Sequence, residues 1–419
     1  MRRIQAPVAT DVTRFSSASS AGLRTLAITG LNKILRQHRA VVVLAGVLFR
    51  MAASLAAQEQ PPGLSVSADG QLLLRGKPFR GIGVNYFDAF ARTLQRADDT
   101  SYNDGFKVLA DRRIPFVRFM GTGFWPVDMQ LYQTNRASYF QRMDAVVRSA
   151  ERHDIGLIPS LFWNLSTVPD LMGEPCDQWG NPASKVHTFM RDYTREVVTR
   201  YQRSSAIWGW EFGNEFNLAA DLPNAATHRP QAAPNLGTPA TRTARDELTH
   251  DMIHVAFAEF AKEVRRHDPH RVIITGNSME RPSAWHQRRE RSWKKDSTEQ
   301  FAEMLAADNP DPVNVLSVHV YGEAVDQLPV AVRAAVAMKK PLFVGEFGVE
   351  GRRTPETERQ FGDLLALIER EKVPLAAFWV FDFAHQGDDW NVTATNGRSF
   401  QLEAVAAANA RLRKAMSTR

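Results

Sequence analysis

Two glutamates stand at the ends of apolar segments, where a pair of carboxyl groups could perform acid–base and nucleophilic chemistry. Glu215 ends the segment WGWEFGNE, and Glu346 lies in the segment LFVGEF. Two carboxyl groups about 5 to 5.5 Å apart can cleave a glycosidic bond with retention, because one protonates the leaving oxygen while the other attacks the anomeric carbon. The second negative charge also favours a protonated first carboxyl group near neutral pH. The alternative is that either glutamate is an ion-pair partner within the fold.

The elements that must bring these glutamates together form a repeating pattern. Short β-branched or aromatic runs alternate with stretches of helical apolar period, and eight strands are predicted at 79–85, 114–120, 155–162, 206–213, 271–276, 314–320, 341–347 and 375–381. The clearest predicted helices are 138–153, 186–202, 247–267 and 356–372. Near-continuous apolar runs are typical of parallel strands covered on both faces. The pattern therefore predicts an α/β fold, a (β/α)8 TIM barrel, with a doubly wound open sheet as the alternative.

A short β-hairpin is predicted before the barrel, because Asp69-Gly70 separates two alternating runs.

In (β/α)8 barrels the chemistry lies at the C-terminal ends of the strands and in the loops that follow them. Glu215 then ends the fourth strand and Glu346 the seventh, and these strands face each other across the barrel mouth. The candidate substrate-binding residues at strand ends or in the top-side loops are Asn85, Arg118, Trp163, Asn214, His319, Tyr321, Trp379 and Trp390.

Three segments resemble glycoside hydrolase family 5, the cellulase and mannanase family of the clan A retaining glycosidases. They are WGWEFGNEFN (208–217), VHVYG (318–322) and FVGEFG (343–348), and ADGQLLLRGKPFRGIGVN (68–85) looks like the family's entry into its first strand. The resemblance covers about residues 64–415. It implies a retaining glycoside hydrolase that cleaves β-1,4-linked mannan or glucan and needs no cofactor.

The resemblance also implies roles for single residues. Glu215 would be the acid/base and Glu346 the nucleophile, while Asn214 would contact the sugar 2-hydroxyl group. Arg118 would hold Glu346 ionised, and Tyr321 would donate a hydrogen bond to it.

Two more residues receive roles in the same way. His319 would line the site near the acid/base, and Trp379 would form the floor beneath the sugar at the cleavage point. The plainer alternatives are a structural carboxylate partner for Arg118, a core position for His319 and core packing for Trp379.

The sequence departs from the family pattern at two places. Phe216 follows the catalytic glutamate where many members have proline, and Trp163-Asn164 ends the third strand where many members have histidine. These departures leave the sugar open between mannan and glucan and favour mannan. The alternative functions are an exo-acting β-glycosidase or transglycosylase, and a non-catalytic carbohydrate-binding barrel.

Aromatic side chains give independent support, because their rings stack on the apolar faces of pyranose sugars. All nine tryptophans are predicted in strands or top-side loops. We expect Trp163, Trp379 and Trp390 to be stacking platforms; the alternative is that aromatic rings simply cap the barrel.

The basic loop 280–296 could attract acidic glycans or be a solvated insertion.

The charge of the chain is concentrated at its N-terminus. Residues 1–57 contain eight Lys or Arg residues and one acid, which gives this segment a net charge of +7. Since the whole chain has a net charge of +6, the remaining residues have a net charge of −1. A basic nucleic-acid surface is therefore not expected. The apolar run 40–49 and the small residues before Gln58 predict a signal or targeting segment at 1–57, followed by the catalytic barrel at 58–419. We expect a secreted or periplasmic protein; the alternatives for the segment are a disordered tail and an N-terminal membrane anchor.

Other chemistries lack their motifs. Cys176 is the only cysteine, so neither an intramolecular disulfide nor a cysteine metal cluster can form. The sequence has no GxSxG, P-loop, HExxH or cofactor fingerprint. We therefore expect an oligosaccharide or polysaccharide substrate, with no metal, no cofactor, no nucleic acid and no stable protein partner.

Overall fold

The structure is a computed structural model that describes residues 62–417. The predicted targeting segment 1–57, together with its alternative as a membrane anchor, lies outside these residues. Within residues 62–417, no helix is both long enough and apolar enough to cross a bilayer.

A small antiparallel sheet precedes the barrel. Its strands are β1 (Leu64–Val66), β2 (Leu72–Leu74) and β3 (Lys77–Pro78), paired in the order β1-β2-β3. The turn between β1 and β2 contains Gly70, whose φ of 84° favours glycine. The predicted hairpin is confirmed and is extended by a third strand.

Eight parallel strands form the central sheet: β4 (Gly81–Asn85), β5 (Phe116–Met120), β6 (Gly156–Phe162), β7 (Gly209–Gly213), β8 (Val272–Ile274), β9 (Leu316–Val320), β10 (Leu342–Phe347) and β11 (Leu375–Phe378). Their order is β8-β7-β6-β5-β4-β11-β10-β9. The first strand of the barrel pairs with the last, for example Val84 with Phe378. This pairing confirms the predicted TIM barrel, since an open doubly wound sheet does not join its chain ends in this way.

The remaining gap, between β8 and β9, is bridged by a side chain. Asn314 donates its backbone N–H to the carbonyl of Ile273 at 3.2 Å, and its side-chain oxygen accepts the Ile273 N–H at 2.8 Å. The barrel is therefore nearly closed.

Helices follow every barrel strand, and several shorter ones lie in the top-side loops. The described helices are α1 (Ala91–Gln95), α2 (Tyr102–Asp111), α3 (Gln130–Thr134), α4 (Arg136–Arg152), α5 (Thr167–Met172), α6 (Lys185–Tyr201), α7 (His250–His267), α8 (Ala284–Glu290), α9 (Thr298–Ala307), α10 (Leu328–Met338), α11 (Pro355–Arg370), α12 (Gly387–Trp390) and α13 (Phe400–Ser417). The four helices predicted from periodicity correspond to α4, α6, α7 and α11.

Side-chain caps explain where the long helices begin. Ser184, Thr249 and Thr354 each accept a backbone N–H from the third residue after them. These bonds satisfy donors that have no partner inside the helix.

The small N-terminal sheet closes one end of the barrel. Leu64 and Leu72 are buried in an apolar cluster with Phe116 and Val272, which are the first residues of β5 and β8. Leu64 also donates its backbone N–H to the carbonyl of Trp208 at 2.8 Å. The N-terminal ends of the strands are thus covered, and the opposite end, which we call the mouth, is left for a site.

Candidate active site

The two glutamates predicted to act together meet at the mouth. Glu346 lies in β10, and Glu215 follows β7. One oxygen from each carboxylate and a ring nitrogen of His319 all lie within 4.8 Å of one another. This short separation suits direct attack by one carboxylate, because the inverting alternative needs roughly 6.5 to 9.5 Å for an intervening water molecule.

The backbone of Glu215 adopts a left-handed conformation, with φ at 55° and ψ at 30°. Non-glycine residues adopt this conformation at a cost that functional sites often bear. The Glu215 N–H donates to the carbonyl of Gly276 at 2.9 Å. A Cβ atom at Gly276 would lie 1.9 Å from the carbonyl oxygen of Gly213, so only glycine fits beside this turn.

Glu346 is held at both carboxylate oxygens. Arg118 donates from Nη1 to Oε1 at 2.7 Å, and Tyr321 donates its hydroxyl to Oε2 at 3.0 Å. Burial raises the pKa of the Tyr321 hydroxyl well above its ordinary value, and the neighbouring Glu346 raises it further. Tyr321 therefore stays protonated and donates.

Arg118 is the centre of a buried network beneath the pair. Besides Glu346, its guanidinium donates to Glu211 Oε1 at 2.7 Å, to Asn85 Oδ1 at 3.0 Å and to Asn214 Oδ1 at 2.8 Å. Burial lowers the pKa of this guanidinium, but Glu211 and Glu346 together raise it above its ordinary value. One arginine thus orients both carboxylates and both amides.

Glu211 was missed by sequence reasoning, although its position contains a signal. In a strand, alternate residues face the same side, so Glu211, Gly213 and Glu215 form one series in the segment WGWEFGNE. Glu211 has no exposed surface, and burial raises its pKa. Among the described residues, its second oxygen has no hydrogen-bond partner.

Glu215 contacts His319, whose Nδ1 lies 2.9 Å from Oε1. Burial raises the pKa of Glu215, but the hydrogen bond from His319 and the charge attraction to it, together with a hydrogen bond from Ser278, leave the pKa below its ordinary value. The same His319 nitrogen lies 3.7 Å from Glu346 Oε2. His319 therefore lies between the two glutamates and favours the ionised form of Glu215, which differs from the protonated form that the sequence led us to expect.

Asn85 is fully buried, although the sequence led us to expect a substrate contact there. Its Nδ2 donates to the carbonyl of Gly345 at 2.8 Å, and its Oδ1 accepts from Arg118. Both ends of the amide are therefore occupied by the protein. Arg118 and His319, at 0% and 1% exposure, contact the glutamates and have almost no exposed surface.

Two open spaces meet at Glu215, Glu346 and Trp379. The outer groove, about 1170 Å³, extends past Tyr321 and Trp390 to α11. The inner cavity, about 520 Å³, is lined by Asn214, Trp163 and residues of the β4, β5 and β11 loops. The carboxylate pair therefore lies at the junction of two spaces.

The three tryptophans expected as platforms occupy different depths. Trp379 borders both spaces and is partly exposed, and Trp390 lines the outer groove 5.6 Å from the ring of Tyr321. Trp163 is 5% exposed, and its ring lies 4.3 Å from the Arg118 guanidinium. Trp163 thus covers the buried network and contributes little exposed surface to the inner cavity.

The prediction that every tryptophan lies in a strand or loop is wrong for Trp179, Trp285 and Trp390, and Trp179 lies in the short 3-10 helix Cys176–Gly180. Trp285 lies in α8, and Trp390 is the last residue of α12. Both helices are short segments within top-side loops, too short for an apolar period to be visible in the sequence.

Residues of the β11 loop also line the inner cavity and were not predicted. Phe383, His385 and Gln386 lie there, opposite Asp88 of the β4 loop. No motif marks these positions in the sequence, because their proximity depends on loop conformation.

The donor atoms of Glu215, His319 and Glu346 are also close enough to ligate a cation. Arg118 lies 2.7 Å from Glu346, however, and its fixed positive charge opposes a metal ion at that oxygen. The arrangement is thus better suited to two carboxyl groups that act directly on a substrate.

Comparisons with known proteins agree with this geometry. A sequence profile described as Cellulase (glycosyl hydrolase family 5) matches residues 72–382. A probable mannan endo-1,4-beta-mannosidase A from Aspergillus clavatus is 28% identical over 178 residues, which cover 39% of this chain and 46% of that relative. This chain therefore spans less than half the length of that curated relative.

Solved structures share the fold. An endo-1,4-beta-mannanase from Rhizomucor miehei has a TM-score of 0.59 at 17% identity, covering 85% of this chain and 100% of that one. A glycoside hydrolase family 5 mannosidase from the same organism has a TM-score of 0.62 at 13% identity, covering 86% and 100%. At these identities the likeness shows the barrel architecture alone.

Proposed function

The chain belongs to glycosyl hydrolase family 5, and from that membership we propose that it is a retaining, endo-acting hydrolase of β-1,4-linked mannan. The observation that carries the proposal is the carboxylate pair at the mouth, with Glu215 and Glu346 oxygens within 4.8 Å. In this proposal Glu346 is the nucleophile and Glu215 the acid/base.

The first step forms a covalent glycosyl–enzyme ester. Glu346 attacks the anomeric carbon while protonated Glu215 gives its proton to the glycosidic oxygen, so the bond to the leaving sugar breaks. The hydrogen bonds from Arg118 and Tyr321 keep both oxygens of Glu346 in place during the attack. Orientation of this kind lowers the barrier because the reacting atoms do not have to be brought together again in the transition state.

The second step returns the enzyme to its starting state. The ester no longer bears the charge of Glu346, and Glu215, left ionised by the first step, accepts a proton from water that attacks the anomeric carbon. His319 supports this step because its hydrogen bond stabilises the carboxylate form of Glu215. Two displacements at the same carbon retain the β configuration.

Asn214 and the tryptophans are the proposed sugar contacts. Arg118 holds Oδ1 of Asn214 at 2.8 Å, which leaves Nδ2 to donate to the 2-hydroxyl group of a sugar in the inner cavity. Trp379 would support the sugar at the cleavage point, because it borders both spaces. Trp390 would stack on sugars in the outer groove, whereas the mostly buried Trp163 would only border the innermost sugar.

Mannan is the proposed substrate because the curated relative with the longest match is named for mannan. Endo action is proposed because the carboxylate pair lies where two spaces meet, so a polymer could extend in both directions. The proposed location is secreted or periplasmic, with residues 1–57 as the export segment and no stable protein partner.

The test is hydrolysis by the full chain of β-mannan, β-glucan and xylan, with product sizes and anomers followed over time. We expect mixed mannooligosaccharides and first-formed β anomers from mannan. Glu346→Gln should reduce turnover by at least about 1000-fold, because no covalent intermediate can form. Glu356→Gln, an exposed position on α11, is the matched control and should leave turnover unchanged.

Three outcomes would contradict the proposal in different ways. First-formed α anomers would exclude the nucleophilic role of Glu346. Release of single sugars from one chain end would replace endo with exo action. Glycan binding without any hydrolysis would indicate a carbohydrate-binding barrel.

A further inference from the structure

A second group of metal-ligating side chains lies away from the catalytic pair. His250 and His254 are one turn apart on α7, and Asp308 follows α9. One donor atom from each of the three lies within 4.8 Å of the others. We call these three residues the His–Asp cluster, and the buried Glu280, in the segment after β8, lies near Asp308.

The geometry of the His–Asp cluster converges on Asp308. His250 Nδ1 lies 3.0 and 2.9 Å from the two carboxylate oxygens, and His254 Nε2 lies 2.5 Å from Oδ1. Residues four apart on a helix share one face, so both imidazoles approach the same carboxylate from one side. This is the spacing by which two helical histidines chelate one ion.

In the described part of the chain, the only basic side chains paired with Asp308 are the two histidines. Glu280 and Asp308 are both buried, and the negative charge of Asp308 raises the pKa of Glu280 beyond the effect of burial alone. Among residues 62–417, neither carboxylate forms an ion pair with a lysine or arginine, and Glu280 Oε1 has no hydrogen-bond partner. Two adjacent buried carboxylates require a proton or a cation between them.

We propose that the His–Asp cluster binds one divalent transition-metal ion of the Zn²⁺ class. His250, His254 and Asp308 supply three ligands, and we assign the fourth to the unpaired oxygen of the nearby Glu280, which a bound ion would attract. Two imidazole nitrogens and two carboxylate oxygens suit Zn²⁺ better than Ca²⁺ or Mg²⁺, which favour oxygen ligands alone. The side chain of His254 is 19% exposed, which gives the ion a path from solvent.

The position of the cluster indicates a structural role. The side chain of Asn217 exchanges two hydrogen bonds with the backbone of Ser278, two residues before Glu280, at 3.0 and 3.1 Å. Asn217 lies two residues after Glu215. A bound ion would therefore tie α7 and α9 to the loops after β7 and β8, and it would stabilise the fold without taking part in bond cleavage.

The experiment is calorimetric titration of the metal-stripped full chain with Zn²⁺, together with thermal unfolding. We expect one ion per chain at the cluster and a rise in Tm of at least about 2 °C at saturating Zn²⁺. His254→Ala and Glu280→Gln should each weaken that binding by at least about tenfold. His267→Ala is the matched control, because His267 lies on the same helix and also contacts a carboxylate, that of Glu263.

The variant Glu346→Gln separates this site from the catalytic pair, which also offers three ligand atoms. Zn²⁺ binding and the rise in Tm should persist in Glu346→Gln. Absence of Zn²⁺ binding by the wild-type chain would overturn the proposal. So would binding that is lost in Glu346→Gln but retained in His254→Ala, or binding that His267→Ala weakens as much as His254→Ala does.

Discussion

Two buried arginines, one at each end of the barrel, show how differently the two ends are built. Arg118 lies at the mouth and Arg271 at the base, and they are 0% and 1% exposed. Arg271 donates to one carboxylate, that of Asp268, and to the backbone carbonyls of Gln202, Ser204 and Ile207. Arg118 donates mainly to side chains, including two carboxylates.

The two guanidinium groups are consequently shifted in opposite directions. Burial lowers the pKa of Arg271, and Asp268 only partly offsets it. Burial also lowers the pKa of Arg118, but Glu211 and Glu346 more than compensate. At the base, an arginine joins segments of backbone, whereas at the mouth an excess of carboxylate is held around one arginine. Barrel enzymes keep stability at the base and chemistry at the mouth, and the arginines follow that division.

The largest expected effect comes from replacing each arginine by methionine. Arg118→Met should lower kcat/KM by about 1000-fold and the free energy of unfolding by about 3–5 kcal/mol, because two carboxylates lose their partner. Arg271→Met should lose similar stability but keep kcat within about twofold where it is folded. Urea unfolding and steady-state kinetics measure both quantities. Equal loss of activity in the two variants would remove the distinction between mouth and base.

A smaller effect is expected when the carboxylate partners lose their charge. Glu211→Gln should reduce kcat by about tenfold, because Arg118 would then draw more strongly on Glu346 and weaken it as a nucleophile. Asp268→Asn at the base should reduce the free energy of unfolding by about 2 kcal/mol with unchanged kcat. If Glu211→Gln lowered the free energy of unfolding but left kcat unchanged, the Glu211 carboxylate would have a role in stability and none in catalysis.

The pH dependence of activity distinguishes the residue that contacts Glu215 from the residue that contacts Glu346. The first step needs protonated Glu215, so kcat/KM falls as pH rises through the pKa of Glu215 in the free enzyme. His319 lowers that pKa, whereas burial raises it. His319→Gln should therefore move the alkaline limb of the profile to higher pH. Tyr321→Phe, which removes a bond to Glu346, should lower the rate without moving that limb, and an equal movement in both variants would contradict this assignment.

The residues of the mouth that lie on strands could be predicted from the sequence. Glu346 and Arg118 lie within apolar runs whose length and composition identify parallel strands, and Glu215 directly follows such a run. Closure of the barrel then brings the ends of β5, β7 and β10 together, whatever the loops do. The predicted strand at 271–276 was too long, because β8 comprises only Val272–Ile274, although the carbonyls of Thr275 and Gly276 still accept backbone N–H groups from Gly213 and Glu215.

How deeply each side chain is buried at the mouth could not be predicted, because its burial depends on neighbours that are remote in sequence. Asn85 was expected to touch substrate, but Arg118 and the carbonyl of Gly345 occupy its amide. The walls of the inner cavity also escaped prediction, since Phe383 and His385 lie on a loop without periodicity. Loop conformations are determined by packing against several strands at once, so a short sequence motif does not predict them.

Trp390 offers the smallest expected effect and tests the rim of the mouth, where loops rather than strands position the side chains. Its ring lines the outer groove beside Tyr321, on the short helix α12. Trp390→Ala should raise KM by about tenfold with little change in kcat, because the lost stacking stabilises ground state and transition state alike. Trp293→Ala, at a position 52% exposed, should change neither constant. A fall in kcat with unchanged KM would instead place Trp390 among the residues that hold the reacting centre, because its neighbour Tyr321 is bonded to Glu346.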